Sequence, residues 1–213
     1  MKYKMIIFDL DGTLLNTLED LRSACNYALS SFNLNEISLE QTQAYIGNGI
    51  KNLMLQASNY SPLIDHLLQK FKEYYKEHYN DRTTSYDGVH EMLSYCKATG
   101  MKLGVFTNKV EDIAVPLIES HFPNQMDFIY GEVKDRPRKP DPAFINELLD
   151  KYCLSKEEVL YVGDSEVDIQ LCENAKLDGI FVSYGFREKT KLLELSKHIV
   201  DNPLEIIKYL GVC

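Results

Sequence analysis

None of the five histidines of this 213-residue chain falls in an H-x-H or H-E-x-x-H arrangement, which argues against a histidine-zinc centre. The five cysteines (Cys25, Cys96, Cys153, Cys172 and Cys213) include no C-x-x-C spacing, and the N-terminus carries no apolar signal stretch. Reduced thiols in a cytoplasmic protein are therefore expected. No apolar run is long enough to span a bilayer, so no membrane association is expected either. Basic residues are few: 23 Lys and Arg stand against 32 Asp and Glu, a net charge of -9 with no basic stripe to offset it. That balance excludes a general nucleic-acid binder. It also means that an anionic substrate has to be drawn in by local charge, because the global field repels it. Internal repeats and low-complexity segments are absent. What remains is ordinary for a soluble globule, with 45% apolar and 26% charged residues. The length suits one large domain or a domain with a modest insertion.

Apolar strand-like runs recur at Met5–Phe8, 103–106, 159–162 and 179–182, with a weaker one at 198–200. Helical patterns separate most of them, which predicts an α/β fold with a doubly wound parallel sheet. One interval breaks the rhythm: residues 15–87 show no convincing strand and read as amphipathic helices. Ser38-Leu39-Glu40-Gln41 has capping-box spacing, and Pro62 opens another helical stretch at Leu63. This is too much helix for one crossover, so 15–87 is expected to be a helical insertion and 1–14 with 88–213 the core. Further on, Asp141-Pro142 reads as an N-cap and first helical residue, and Ser155-Lys156-Glu157-Glu158 as a second capping box. Pro116 is expected to kink or interrupt the helix after Asn108.

The most informative segment is Asp9-Leu10-Asp11-Gly12-Thr13, which follows the apolar run Met5–Phe8 directly. Open α/β sheets place ligands at the carboxyl ends of their strands. Two carboxylates this close need a cation, a proton or deep hydration, and a divalent metal is the natural answer. Three more sites fall at strand ends or adjoining loops: Thr107-Asn108-Lys109, Lys139-Pro140, and Gly163-Asp164-Ser165-Glu166-Val167-Asp168. In a parallel sheet they converge on one edge. The set suits phosphoryl transfer, which needs a nucleophile, cover for the phosphoryl oxygens and a proton for the leaving group. Asp9 is the candidate nucleophile, with Asp164 sharing a Mg2+ ion. Asp168 and Ser165 are candidates for the outer contacts of that ion, although Ser165 also suits a helix cap. Thr107 offers a hydroxyl, Asn108 and Gly12 join it as phosphate-binding candidates, Lys139 supplies positive charge, and Asp11 can act as acid and base. Any one of these motifs alone is a common turn or cap; their ordered occurrence carries the reading. Lys134, Arg136 and Arg138 form a basic run read as a solvated loop.

The four motifs, in this order, resemble the haloacid dehalogenase-like superfamily. That resemblance implies a Rossmann-like core with an inserted helical type 1 cap, and Mg2+-dependent turnover through a phosphoaspartate. It also implies that Asp11 gives its backbone carbonyl to the metal while its side chain does acid–base work. Within the superfamily, Asp11-Gly12-Thr13-Leu14-Leu15-Asn16-Thr17 and the loop Tyr45-Ile46-Gly47-Asn48-Gly49-Ile50 are similar to the phosphoglycolate phosphatases. Asn16 stands where many of those carry Asp. Gly47, Asn48 and Gly49 either contact a compact substrate or make an interhelical turn. The expectation is a monomeric or homodimeric phosphatase acting on a small phosphorylated metabolite. A pyrophosphatase and a β-phosphoglucomutase-like sugar phosphomutase are the enzymatic alternatives, and a non-enzymatic phosphate-binding regulator the remaining one. The mutases carry a cap arginine where this chain has Ile50 and Lys51.

Overall fold

A computed structural model describes residues 2–47 and 49–210, so Asn48 and Cys213, both named above, lie outside the described residues. From β1 (Met5–Phe8) the chain runs through β2 (Leu15–Asn16) into α1 (Leu18–Ser30), α2 (Leu39–Tyr45), α3 (Gly49–Ala57) and α4 (Ile64–His78). It continues as β3 (Thr84–Ser85), α5 (Val89–Ala98), β4 (Lys102–Val110), α6 (Glu111–His121), β5 (Phe128–Glu132) and α7 (Ala143–Tyr152). The last third comprises β6 (Val159–Gly163), α8 (Glu166–Ala175), β7 (Asp178–Val182), α9 (Lys189–Leu195), β8 (Ile199–Val200) and α10 (Pro203–Tyr209). By contact density these form two compact units. One holds the residues up to Leu15 together with those from Ser85 onward; the other is Asn16–Thr84.

The first unit is built on a six-stranded sheet in the order β5-β4-β1-β6-β7-β8, parallel throughout. β1 is buried along its whole length because its Met-Ile-Ile-Phe side chains meet apolar partners on both faces. One face is covered by a core in which Met5, Ile7, Phe106 and Tyr161 pack against Phe144, Ile145 and Leu148 of α7 and Ile169 and Cys172 of α8. The chain leaves β1 for β4 on one side of the sheet and later returns to β6 on the other. The order therefore reverses at β1, and the carboxyl end of the strand at such a reversal is where open α/β sheets bind ligands.

The second unit is helical. α1 buries Leu18, Leu21, Ala24, Cys25, Ala28 and Leu29, the three-and-four spacing of one helix face, and α4 buries Leu67, Phe71 and Tyr75. The expected capping box is present: Ser38 and Gln41 exchange bonds at the start of α2. Asp20 is buried and holds the unit's last residues, accepting from the Arg82 backbone N–H at 3.0 Å and from Thr83 Oγ1 at 2.8 Å. Gly47, at φ 119°, lies in this unit between α2 and α3, and Gly49, at φ 80°, is the first residue of α3.

Several local expectations change. Pro116 does not interrupt α6, which runs continuously from Glu111 to His121. Both Pro116 and Asp112, four residues before it, are exposed, so the carbonyl left without its N–H partner can bind water. Asp141 sits one position further out than expected: Pro142 is the N-cap of α7, and the Asp141 carboxylate accepts from the Ala143 N–H at 2.8 Å. The Ser155 capping box is present as expected, on a 3-10 turn, Lys156–Glu158, that leads directly into the strand at Val159. An unexpected edge strand, β5, joins the sheet. Within the basic run Lys134 and Arg138 are exposed, Arg138 reaching Glu132 at 3.6 Å, while Arg136 is held more closely: it pairs with Glu111 and lies 4.3 Å over the Tyr130 ring.

Candidate active site

Strand register brings three of the motifs side by side. Phe8 is aligned with Val105 of β4 and with Val162 of β6, so Asp9 emerges next to Phe106-Thr107 and Gly163-Asp164. The Asp9 N–H donates to the Val162 carbonyl at 2.8 Å, and Asp9 Oδ1 accepts from the Leu10 N–H at 2.7 Å. Two glycines allow the close approach. At Gly12, φ is +85° and a Cβ would lie 2.2 Å from Asp164 Oδ2; at Gly163 a Cβ would lie 2.3 Å from Asp168 Cγ.

Lys139 is the electrostatic hub. Its buried ammonium donates to Asp9 Oδ1 at 2.8 Å, Asp168 Oδ1 at 2.7 Å and the Tyr161 hydroxyl at 3.2 Å, which accounts for its three hydrogens. Burial opposes its charge, but Asp168 and Asp9 outweigh that and hold its pKa above the usual lysine value. Asp168 is equally committed. Oδ1 takes Lys139 and the Tyr161 hydroxyl, while Oδ2 takes the N–H groups of Asp164 and Ser165 and the Ser165 hydroxyl at 2.6 Å. Burial works against its ionisation too, but Lys139, Ser165 and Tyr161 overcome it and lower its pKa. With both oxygens occupied, Asp168 stands behind Lys139 as its support, and Ser165 supports Asp168 in turn.

Asp11 faces a different cation. Lys109 Nζ lies 3.0 Å from Asp11 Oδ1 and 3.3 Å from Oδ2, and the lysine side chain is only 3% exposed. Thr107 is buried, and its Oγ1 accepts from the Lys109 N–H at 3.2 Å, which leaves its own O–H to donate. Asn108 Nδ2 donates to the Lys139 carbonyl at 3.1 Å, tying the end of β4 to the loop that carries Lys139.

Four carboxylates (Asp9, Asp11, Asp164, Asp168) thus meet two ammonium groups. The shortage of positive charge is felt at the two carboxylates that are not fully committed. Burial, with Asp168 and Asp11 adding to it and Lys139 opposing, raises Asp9 to about 6. Burial and the charges of Asp168 and Asp9 push Asp164 well above the usual carboxylate range. Among the described residues no group hydrogen-bonds Asp9 Oδ2 or Asp164 Oδ1; the other Asp164 oxygen accepts from the Phe186 N–H at 2.7 Å. One oxygen each of Asp9, Asp164 and Asp168 lie within 4.8 Å of one another. Two open oxygens and a deficit of two charges fit a hard divalent cation. Because Asp168 is saturated, Asp9 and Asp164 are the side chains that fit as its ligands.

The family model of the haloacid dehalogenase-like hydrolases matches residues 6–182. The chain belongs to this family. Within it, the chain is 30% identical over 217 residues to a phosphoglycolate phosphatase of Aliivibrio fischeri, covering 96% of this chain and 94% of that one. It is 32% identical over 194 residues to a phosphoglycolate phosphatase of Vibrio cholerae, covering 86% and 85%. The crystal structure of a predicted phosphoglycolate phosphatase from Haemophilus somnus superposes with a TM-score of 0.93 at 29% identity, covering 99% of both chains. A haloacid dehalogenase-like hydrolase from Streptococcus pneumoniae shares the fold at 22% identity, with a TM-score of 0.89 over 99% of both chains. Phosphatases of the family generally use a divalent metal, and the Asp9, Asp164, Asp168 cluster is the acidic cluster of this member.

Asp9, Asp11, Gly12, Thr107, Asn108, Lys139, Asp164, Ser165 and Asp168 all lie in the sheet unit, whereas Gly47 and Gly49 belong to the helical one. Sequence reasoning assigned no role to Lys109 or Tyr161. Had the strand been extended through Val110, period-two alternation would have put Thr107 and Lys109 on the same side. Tyr161 is a buried phenol in an apolar strand, and such a hydroxyl needs a polar partner.

Proposed function

We propose that the protein hydrolyses a small phosphomonoester, with phosphoglycolate first among candidates, through a phosphoaspartate on Asp9. The observation that carries this reading is the free Oδ2 of Asp9, whose other oxygen is fixed by Lys139 and the Leu10 N–H. A carboxylate held by one oxygen is a fixed nucleophile with the other. Asp9 Oδ2 attacks phosphorus and the ester P–O bond breaks. Asp11 gives its proton to the departing alkoxide, then takes one from the water that cleaves the aspartyl phosphate and frees Asp9 and phosphate. Thr107 donates its hydroxyl to a phosphoryl oxygen, and Lys139 keeps Asp9 aligned. Asp9, Asp164 and, as the family resemblance implies, the Asp11 main-chain carbonyl would hold Mg2+. The ion would offset charge between these carboxylates and the phosphoryl oxygens. The helical unit takes the cap role that the same resemblance implies, in a cytoplasmic enzyme acting on a small metabolite.

The test is phosphate release from phosphoglycolate, sugar phosphates and pyrophosphate, with Mg2+ and with a chelator. The highest kcat/KM is expected for phosphoglycolate, and its loss on chelation. Preference for pyrophosphate, or turnover indifferent to the chelator, would reject the reading.

Asp11→Asn is expected to lower kcat by about 10^2 to 10^4, the usual worth of a positioned acid–base group. With p-nitrophenyl phosphate, whose leaving group needs little protonation, the first transfer suffers less than the second. Phosphoenzyme should then accumulate in rapid-quench experiments. An unchanged kcat would remove Asp11 from the acid–base role.

A further inference from the structure

We propose that Lys109 determines which leaving group is accepted: its ammonium binds a carboxylate carried by the substrate one carbon beyond the ester oxygen. The inference rests on the phosphatase reading above and adds to it a residue and a substrate class, the phosphate esters of 2-hydroxy acids. Its basis is the division of labour between two buried lysines. Lys139 serves the nucleophile, with its three hydrogens taken by Asp9, Asp168 and Tyr161. Lys109 touches Asp11, reaching both carboxylate oxygens at 3.0 and 3.3 Å. The group that protonates the leaving oxygen has to come within hydrogen-bond distance of it. The cation clasping that group therefore stands on the leaving-group side of the phosphoryl centre.

Burying an ammonium whose purpose is structural is expensive, and this one is 3% exposed beside a carboxylate that is itself only 18% exposed. A substrate carboxylate arriving beside Asp11 competes with it for the ammonium and draws it off the oxygens that must face the leaving group. The rest of the molecule makes such a local cation necessary. With a net charge of -9 the protein repels a multiply charged ester at long range. Nearby arginines are committed to partners: Arg136 to Glu111, Arg138 to Glu132 and Arg187 to Glu166. A leaving group without an anion gains nothing from Lys109 and leaves the Lys109–Asp11 clasp in place.

The experiment compares kcat/KM for phosphoglycolate and ethyl phosphate, which share a two-carbon leaving group but differ in the carboxylate. It uses the wild type, Lys109→Met and Lys109→Arg with Mg2+ present. The wild type is expected to prefer phosphoglycolate. Lys109→Met is expected to shrink that preference by about 10^2, with the KM for phosphoglycolate rising more than its kcat falls. Lys109→Arg, which keeps the charge, should retain part of the preference. A purely positional role through Asp11 would slow both esters alike and leave their ratio intact; that result overturns the inference while the phosphatase reading stands. So does a wild type indifferent to the carboxylate, a comparison that needs no variant to fold. Failure to turn over either ester removes the phosphatase reading and this inference with it.

Discussion

Asp9→Asn is expected to fold and to release phosphate at less than about 10^-4 of the wild-type rate, the loss that the nucleophilic role proposed for Asp9 requires. The amide keeps the shape of the carboxylate and can accept from the Leu10 N–H, but it is a poor nucleophile and a weak ligand for a hard cation. The same substitution should stabilise the metal-free protein at neutral pH. Asp9 titrates near 6 in the folded chain, against 3.8 for an ordinary aspartate, chiefly because it is buried. Between those values the unfolded chain has lost the proton and the folded one keeps it, so stability falls as pH rises through this window. The total is about 3 kcal/mol at 1.36 kcal/mol per unit. In chelator, Asp9→Asn should therefore match the wild type near pH 4 and exceed it above pH 6. Added Mg2+ should favour the wild type instead. Urea unfolding from pH 4 to pH 8 reads both effects. A variant less stable than wild type at every pH, by a constant margin, would contradict the electrostatic account, and retained turnover would end the role of Asp9.

Much of this site was legible because its positions are dictated by buried, regular structure. An apolar run such as Met5–Phe8 has one reading in an α/β chain, and it delivers Asp9 to the sheet edge with little freedom. Gly163-Asp164 follows β6 for the same reason. β5 escaped notice because it is an edge strand whose Phe128, Ile129 and Tyr130 are only half-buried, with Gly131 and Glu132 diluting the pattern. The Gly131 N–H is satisfied partly by the Glu111 carboxylate at 3.1 Å, a long-range contact that spacing cannot reveal. Lys109 is visible in its motif but has no role there, because the apolar signal of β4 stops at Phe106 while the strand continues through polar residues as far as Val110. The partners of Asp168 were hidden for another reason. A Gly-Asp-x-x-x-Asp pattern gives the helical turn between the two carboxylates but not the five donors that gather on the second. Sequence spacing therefore finds carboxylates readily and says little about which of their oxygens remain open.

Lys139→Met should cost more than activity. The ammonium is bonded at 2.8 Å to Asp9 and 2.7 Å to Asp168, both buried, and removing it leaves two buried carboxylates facing each other with no cation between them. Breaking a buried ion pair by deleting one partner typically costs about 3 to 5 kcal/mol, because the remaining charge stays desolvated. Asp168 cannot turn to water without giving up the Ser165 and Tyr161 hydroxyls, so its penalty is not easily relieved. A fall in stability of that size is expected for the metal-free variant at pH 7. Turnover should fall by about 10^2-fold or more, the scale of losing one electrostatic donor at a reacting centre. Arginine should not restore either property. The compact ammonium serves three acceptors converging on one atom, whereas a planar guanidinium spreads its donors over a fork. Equilibrium unfolding and phosphate release on Lys139→Met and Lys139→Arg provide the check. A methionine variant within about 1 kcal/mol of wild type would show that Asp9 and Asp168 share the pocket without needing the lysine, and the electrostatic order assigned to the site would fail.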